Sequence, residues 1–300
     1  MNPLIPTRRQ MIGTTLGALA ASQVAADPAA PPSRRPWKKA IMFAMLDAPG
    51  SLQEKFKLLK DSGIDGVELN APGQFKAEEV REACKVTGLE IEGVVDAFHW
   101  QINLADPDPK IRATGVEYLK QGLRECAAFG GTSLLLVPAV VTPRVSYDDA
   151  YKRSQEEIRK ALSVAQETGV KIAVENVWNQ FLLSPLEAAR FIDEFHSPWI
   201  GWHFDIGNVL YIGWPEQWIP ILGSRIVKLH FKEFSRKKRD SEGLWKGFQV
   251  ELLEGDNNWP AIMKALDDIG YNTWACAEVP GGGAERMKFI SGRLDRILAM

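Results

Sequence analysis

The chain has 300 residues, of which 45% are hydrophobic and 25% are charged, and its formal net charge is -2. These proportions are ordinary for a globular protein and exclude a disordered or fibrous chain. The nearly balanced charge provides no basic surface, so we expect neither DNA nor RNA as a partner.

The N-terminal residues 1–26 have the features of a cleavable twin-arginine export signal. Arg8 and Arg9 precede a weakly apolar stretch, residues 11–21, and small residues lead up to Ala26. That stretch is too short and too rich in Gly and Thr for a stable membrane anchor. We therefore expect export to the periplasm; the alternative is a leader with no targeting role.

Beyond this signal, residues 27–37 are rich in proline and predict an extended tether. The folded domain is expected to span residues 38–300, where short apolar runs alternate with helical patterns. The predicted strands are residues 40–44, 66–69, 90–95, 133–137, 171–174, 200–204, 226–231 and 273–279. The predicted helices lie near residues 52–61, 77–87, 108–128, 147–168, 184–194, 214–222, 258–269 and 284–298.

Strict alternation of strand and helix predicts an α/β fold, a (β/α)₈ TIM barrel. The alternative is a doubly wound open sheet, which usually carries a glycine-rich phosphate loop after an early strand. Here the glycine cluster Gly281–Gly283 follows the last predicted strand, and we interpret it as a turn rather than a phosphate site. Ser184 and Glu187 form a predicted capping box at the start of one helix.

The longest stretch without a predicted element runs from Ser235 to Asn257, between the seventh strand and its helix. Loops of this length inside a compact domain are uncommon and often functional, for example as lids. We interpret its basic run, residues 236–239, as a solvated surface turn rather than an anion site.

Four predicted strands in the second half of the chain each end on a side chain that can bind a metal ion. These side chains are Glu175, Asp205, His230 and Glu278. A single carboxylate at a strand end is often only a helix N-cap, but the active site of an α/β barrel lies at these strand ends. Carboxylate oxygens and an imidazole nitrogen are suitable ligands for a divalent ion, and no soft thiolate site is indicated. The series therefore predicts one divalent metal ion, with Mn²⁺ expected and Mg²⁺, Co²⁺ or Zn²⁺ as alternatives.

Glu175 and Glu278 are the predicted catalytic pair. A metal chelated by a carbonyl and an adjacent hydroxyl acidifies the C–H between them and stabilises the enediolate. A carboxylate on each side of that carbon can remove a proton from one face and return one to the other. Because these two glutamates end strands that are well separated around the barrel, the pattern predicts epimerisation or isomerisation of a free ketose or keto-sugar.

Other side chains near the same strand ends are candidates for contact with a sugar. The polar candidates are Glu68, His99, Asn176 and Lys232. Tryptophan rings can stack on the apolar face of a sugar, although they are also common core residues. The tryptophan candidates are Trp100, Trp178 and Trp202. We interpret His196 and His203 as structural.

At these residues the sequence resembles the xylose-isomerase-like TIM-barrel superfamily. The resemblance is to its sugar and sugar-phosphate isomerase/epimerase branch, which includes ketose 3-epimerases and hydroxypyruvate isomerase. It depends on the segments AVEN, FDIGN, HFKEF and AEVPGG and covers the chain after residue 38. It implies that Glu175, Asp205, His230 and Glu278 hold one divalent metal, and that the two glutamates also act as acid/base groups.

The resemblance implies two further substrate-binding positions. Relatives that epimerise ketoses tend to have a histidine three residues after the strand-six aspartate, and Asn208 stands there in this sequence. An arginine six residues after the strand-seven histidine matches Arg236. Asn208 keeps hydrogen bonding but has no titratable group, which argues against a simple transfer of ketose 3-epimerase specificity.

Three alternatives to an epimerase remain at this level. A metal-dependent lyase or dehydratase acting on a keto-sugar or 3-keto-glycoside would use the same ligands, since proton abstraction beside a carbonyl also starts an elimination. A phosphoesterase of the AP endonuclease type uses a histidine-rich trinuclear zinc site, and this chain has only four histidines. A non-catalytic sugar-binding protein would not need the two glutamates. The sequence leaves open the sugar, its phosphorylation, the native metal and a homo-oligomeric state.

Overall fold

The structure is a computed structural model that describes residues 35–300. In it, parallel strands form a closed barrel in which each strand pairs with its neighbours in sequence and the last pairs with the first. The strands are β1 (Lys38–Met42), β2 (Gly66–Ala71), β3 (Glu90–Asp96), β4 (Ser133–Leu136), β5 (Lys171–Glu175), β6 (Ile200–Asp205), β7 (Ile226–Phe231) and β8 (Trp274–Ala277). The predicted (β/α)₈ barrel is confirmed. The predicted signal, and the tether up to residue 34, lie outside the described residues.

Helices surround this barrel. They are α1 (Leu52–Asp61), α2 (Ala77–Thr87), α3 (Pro109–Phe129), α4 (Tyr147–Arg159), α5 (Leu162–Thr168), α6 (Pro185–Asp193), α7 (Ile206–Ile212), α8 (Pro215–Leu222), α9 (Arg236–Glu242), α10 (Trp259–Asp268) and α11 (Ala284–Leu298). The helix predicted near residues 147–168 is divided into α4 and α5, and α7 was not predicted. Within residues 35–300, we find no helix with both the length and the apolarity needed to span a membrane.

Local hydrogen bonds explain where several helices begin and end. Ser184 caps α6 as predicted, because its hydroxyl accepts a hydrogen bond from the N–H of Glu187. The Glu187 carboxylate, however, accepts from the Tyr147 hydroxyl and the N–H of Leu183 instead of completing the capping box. Gly88 ends α2 in the left-handed conformation with a φ of 71°, which a glycine adopts at little cost.

Part of the segment after β7 is helical, so the prediction of a stretch without a regular element is wrong for residues 236–248, and the basic run begins a helix rather than a turn. Residues 236–239 begin α9, and Leu244–Phe248 forms a short 3₁₀ helix. Ser235 caps α9 by accepting a hydrogen bond from the N–H of Lys238. Position 247 must be glycine because a Cβ there would lie 2.4 Å from the ring of Phe234. The 3₁₀ helix therefore packs directly on the residues that follow β7.

The return of this segment is held by one buried carboxylate. Glu233 accepts hydrogen bonds from the N–H of Leu253 at 2.9 Å, from the N–H of Asn257 at 3.2 Å and from the indole of Trp259 at 2.9 Å. Its side chain lies directly after β7 and is 1% exposed. Glu233 therefore precedes the segment and also holds its end near the barrel.

A charged pair lies inside the barrel, away from the strand ends that carry the predicted ligands. Lys228 of β7 forms an ion pair with the carboxylate of Glu92 on β3 and also donates to the Glu92 carbonyl at 2.5 Å. Since β3 and β7 do not pair with each other, this contact crosses the barrel interior. Both side chains are buried, and Glu92 Oε1 has no other partner among the described residues.

Removing the lysine alone should therefore be costly. We expect Lys228→Met to lower the free energy of unfolding by about 3–5 kcal/mol, because it leaves Glu92 as a buried unpaired charge. The double variant Glu92→Leu/Lys228→Met should recover most of that loss, since apolar pairs often replace buried ion pairs without cost. Urea unfolding of the three chains measures both values. A double variant as unstable as the single one would contradict this account.

Candidate active site

The C-terminal ends of β5 to β8 bring the four predicted metal ligands together. The ligand atoms of Glu175, Asp205, His230 and Glu278 all lie within 4.8 Å of one another. His230 Nδ1 is 3.5 Å from Glu175 Oε1 and 3.3 Å from Glu278 Oε2. Glu175 and Asp205 are the last residues of their strands, and Glu278 directly follows β8. Barrel closure thus converts four separate strand ends into one cluster.

The cluster has unsatisfied polar atoms that fit a bound cation. Asp205 Oδ2 and His230 Nδ1 are buried and have no hydrogen-bond partner among residues 35–300. An unsatisfied buried polar atom costs about 1–3 kcal/mol, and one cation could satisfy both of these. Carboxylate oxygens and an imidazole nitrogen are the ligands that divalent ions such as Mn²⁺ and Zn²⁺ accept. The donor set therefore fits a divalent metal ion.

Glu68 determines which nitrogen of His230 faces this cluster. Glu68 Oε2 lies 2.9 Å from His230 Nε2, and both side chains are 1% exposed. In the neutral imidazole, the form that binds a metal ion, Nε2 donates its proton to this carboxylate and Nδ1 is the acceptor that faces Glu175 and Glu278. Metal-binding histidines commonly donate their second N–H to a carboxylate in this way. Glu68, predicted to contact substrate, instead contacts a candidate metal ligand.

Burial and neighbouring charges shift the pKa values of the residues in this cluster. Burial raises the pKa of Glu175 and raises that of Asp205 well above its usual range. Burial alone would lower the pKa of His230, but the surrounding carboxylates, Glu68 foremost, raise it well above its ordinary value. Burial opposes ionisation of Glu278 as well, yet Lys232 and His230 hold its pKa below its usual range. The site thus concentrates negative charge that a cation stabilises.

Lys232 lies beside the candidate ligands. Its ammonium donates a hydrogen bond to Glu278 Oε2 at 2.8 Å and lies 3.4 Å from Asp205 Oδ2. Despite burial, which lowers the pKa of a lysine, the charges of Asp205 and Glu278 raise the pKa of Lys232. Lys232, predicted to contact substrate, is therefore a charged ammonium held beside Glu278 and Asp205.

Two asparagines hold Asp205 in place. The amide of Asn176 donates to the Asp205 carbonyl at 2.8 Å and accepts from the Asp205 N–H at 3.1 Å. Asn208 donates its own N–H to Asp205 Oδ1 at 2.8 Å, so Asp205 also caps α7. The side chain of Asn208 is occupied by the Asn176 carbonyl and by the indole of Trp178. Both asparagines, predicted to bind substrate, use their amides within the protein.

Trp202 and Arg236 are also engaged within the fold. Trp202 is fully buried and donates its indole N–H to Asn176 at 3.0 Å, so of its two interpretations, sugar contact or core residue, the structure supports the core residue. Arg236 donates to the carbonyls of Leu210 and Gly213 at the end of α7. Its guanidinium lies 4.6 Å from the ring of Trp214. Arg236 thus stabilises the α7 terminus in this structure.

His99 and Trp100 follow β3. His99 Nδ1 accepts a hydrogen bond from the N–H of Val137 at 3.1 Å, and burial lowers its pKa to about 3. Its imidazole is therefore neutral, with the proton on Nε2. Trp100 is 45% exposed and lines a separate cavity of about 580 Å³ between the loops after β3 and β4. Of the two, His99 is the more precisely positioned.

Two aromatic residues beside Glu278, Trp245 and Phe248, were not predicted as part of the site, and we call them the aromatic wall. A cavity of about 530 Å³ adjoins Glu278 and Lys232 and is also lined by Trp245 and Phe248. Both aromatics belong to the 3₁₀ helix after α9. Aromatic residues in a long segment on the functional face of a barrel were the available signal. A second cavity, of about 550 Å³, lies at the opposite end of the barrel, where residues serve stability.

Comparison with known proteins identifies the family of this chain. The chain matches the family model described as xylose isomerase-like TIM barrel over residues 56–293. The 3-dehydro-D-guloside 4-epimerase of Escherichia coli K12 is 27% identical over 160 residues, which are 49% of this chain and 60% of that enzyme. This chain thus matches less than two thirds of that relative's length.

Two further relatives match over more of their length. The L-ribulose-5-phosphate 3-epimerase UlaE of Salmonella paratyphi A is 22% identical over 230 residues, covering 73% of this chain and 78% of that protein. The crystal structure of apo 3-keto-D-glucoside 4-epimerase YcjR from E. coli gives a TM-score of 0.72 at 19% identity, covering 87% of this chain and 98% of that one. Because the family model spans most of its length, the chain belongs to the xylose isomerase-like TIM barrel family.

Proposed function

We propose that the protein is a metal-dependent sugar epimerase or isomerase that moves a proton at a carbon next to a carbonyl. The observation that carries this proposal is the position of Glu175 and Glu278, which flank His230 Nδ1 in a cluster that fits one divalent ion. The relatives named above are sugar epimerases by name, which supports the same class of reaction.

The proposed chemistry assigns separate tasks to the cluster. A divalent ion held by the four ligands would polarise the substrate carbonyl and stabilise the enediolate. Glu175 ends β5 and Glu278 follows β8, so the two carboxylates approach a bound sugar from different sides of the barrel. One removes the proton and the other returns it. Lys232 fixes the orientation of Glu278 through its 2.8 Å hydrogen bond.

We propose an unphosphorylated ketose or keto-sugar as substrate. The glycine cluster that could have held a phosphate is not the predicted turn: Gly282 pairs with Leu46 in an isolated parallel bridge, and a Cβ on Gly281 would lie 1.8 Å from the Met45 carbonyl. The same carbonyl accepts a hydrogen bond from the N–H of Gly282 at 2.9 Å. The backbone of Gly282 is therefore engaged by the chain that follows β1, which argues against a phosphate site at this position.

Substitution of either glutamate should stop proton exchange. We expect Glu175→Gln and Glu278→Gln each to lower the rate by at least about 10² to 10⁴, because each loses an acid/base group. Incubation in D₂O with free ketoses and 3-keto-glycosides, followed by NMR, measures exchange next to the carbonyl. Glu285→Gln, at an exposed position of α11, is the matched control.

The products of that experiment separate the candidate reactions. An inverted or isomerised sugar that carries deuterium supports the proposal. Release of water or an alcohol together with an enone identifies a lyase or dehydratase instead. A sugar that binds equally well to the wild type and to both glutamine variants, with no exchange, identifies a binding protein.

Metal content provides an independent test. We expect one divalent ion per chain, lost in His230→Ala and retained in His196→Ala, which removes an exposed histidine elsewhere. Glu68→Gln should weaken metal binding about 10- to 100-fold, since it perturbs the group that orients His230. Mass spectrometric metal analysis and competition with a chelator give these values. Full metal retention in His230→Ala would exclude this site, and the same analysis identifies the native metal.

We also propose export through the twin-arginine route, which rests on the sequence of residues 1–26 alone. Replacing Arg8 and Arg9 by lysine should retain the protein in the cytoplasm, whereas the same change at Arg34 and Arg35 should not. Cell fractionation and immunoblotting distinguish the two variants. Unchanged export of the first variant would reject the proposed signal.

A further inference from the structure

The cavity beside Glu278 extends beyond the candidate metal ligands. Its lining includes Lys232 and Glu278 together with Trp245, Phe248 and Pro280. Its volume of about 530 Å³ falls in the range of roughly 300–1,000 Å³ that is typical of sites for drug-sized ligands. A ligand seated against Glu278 in this cavity therefore meets aromatic rings as well as charged groups.

The aromatic wall is held in place before any ligand binds. The ring of Phe248 lies 4.7 Å from that of Phe234 and 4.9 Å from that of Trp178. The Gly247 carbonyl accepts a hydrogen bond from the N–H of Ser235 at 2.7 Å, which ties the 3₁₀ helix to the end of β7. A surface fixed in this way loses little conformational entropy when a ligand binds.

Trp245 contributes an uncovered ring to this wall. It is 64% exposed, although its indole packs 5.0 Å from that of Trp178. Ligand cavities are commonly lined by aromatic side chains with a few polar groups beside them. Lys232 lies close to both kinds of group, because its ammonium bonds Glu278 and lies 5.3 Å from the ring of Phe248. A sugar joined to a second, apolar ring could place the sugar at Glu278 and the second ring on the exposed face of Trp245.

We propose that Trp245 and Phe248 form a second subsite, which binds the ring attached to the reacting sugar. The substrate is then a keto-glycoside, with the keto-sugar at Glu175 and Glu278 and its aglycone ring on the aromatic wall. This inference rests on the proposed function and narrows it to one substrate class. Trp and Phe rings bind the apolar face of a sugar or an aromatic aglycone.

A series of compounds with one reacting sugar tests the subsite. The probes are free 3-keto-glucose and its methyl, phenyl and glucosyl glycosides, with deuterium exchange as the readout. For the wild type we expect kcat/KM to be higher for the phenyl and glucosyl compounds than for the methyl compound. An aromatic contact is worth about 0.5–1.5 kcal/mol, so Trp245→Ala should reduce this preference roughly 2- to 10-fold, mainly through KM.

Two more variants keep the test specific. Trp245→Phe should restore most of the preference because it restores a ring, and Phe289→Ala, which removes an exposed aromatic from α11, should leave it unchanged. Circular dichroism and metal content check that each variant is folded. A wild type with no preference for a second ring, or a Trp245→Ala variant with the full preference, would overturn the subsite.

The two proposals fail in different ways. If no compound in the series exchanges a proton, the proposed epimerase function is wrong. The subsite is then tested by calorimetric binding of the phenyl glycoside, whose Kd should rise in Trp245→Ala and return toward the wild-type value in Trp245→Phe. Equal binding by all three chains would exclude the subsite even then.

Discussion

The hydrogen bond between Glu68 and His230 is the contact on which the candidate site depends. An imidazole buried in a barrel could present either nitrogen to the strand ends, and the two choices would give different sites. The Glu68 carboxylate, 2.9 Å from Nε2, leaves Nδ1 facing Glu175 and Glu278. His203 packs directly against the His230 ring, with ring centroids 4.1 Å apart. Glu68 on β2 thus determines which nitrogen of His230 on β7 faces the cluster.

Asp205 shows how one residue can serve two roles that the sequence presents as alternatives. A carboxylate at a strand end is often a helix N-cap, and Asp205 is one, because its Oδ1 accepts from the N–H of Asn208. Its second oxygen, Oδ2, remains directed at the cluster with no hydrogen bond in the described part of the chain. Since α7 begins directly after β6, this cap fixes the oxygen that would bind metal without an intervening flexible loop.

Much of this arrangement was predictable because regular periodicity carries the information. The apolar runs before Glu175, Asp205 and His230 identify buried strands, and alternation with helices places their ends on one face of a barrel. α7 was not predicted because IGNVLYI is apolar on all sides and short, so it shows no amphipathic pattern. The hydrogen-bond partners of Arg236 and Asn208 are backbone carbonyls that only folding brings close to them. Residue type alone does not specify such partners.

The Glu233 carboxylate has a consequence for how such enzymes can diversify. It anchors the return of the segment after β7, so the chain between residues 234 and 252 begins and ends at one fixed point. Insertions, deletions or exchanges within that excursion need not displace His230, which belongs to the strand before it. The sequence of this segment can therefore change without changing the barrel strands that carry the candidate ligands. An engineer could graft a foreign segment between these anchors and retain the candidate metal ligands.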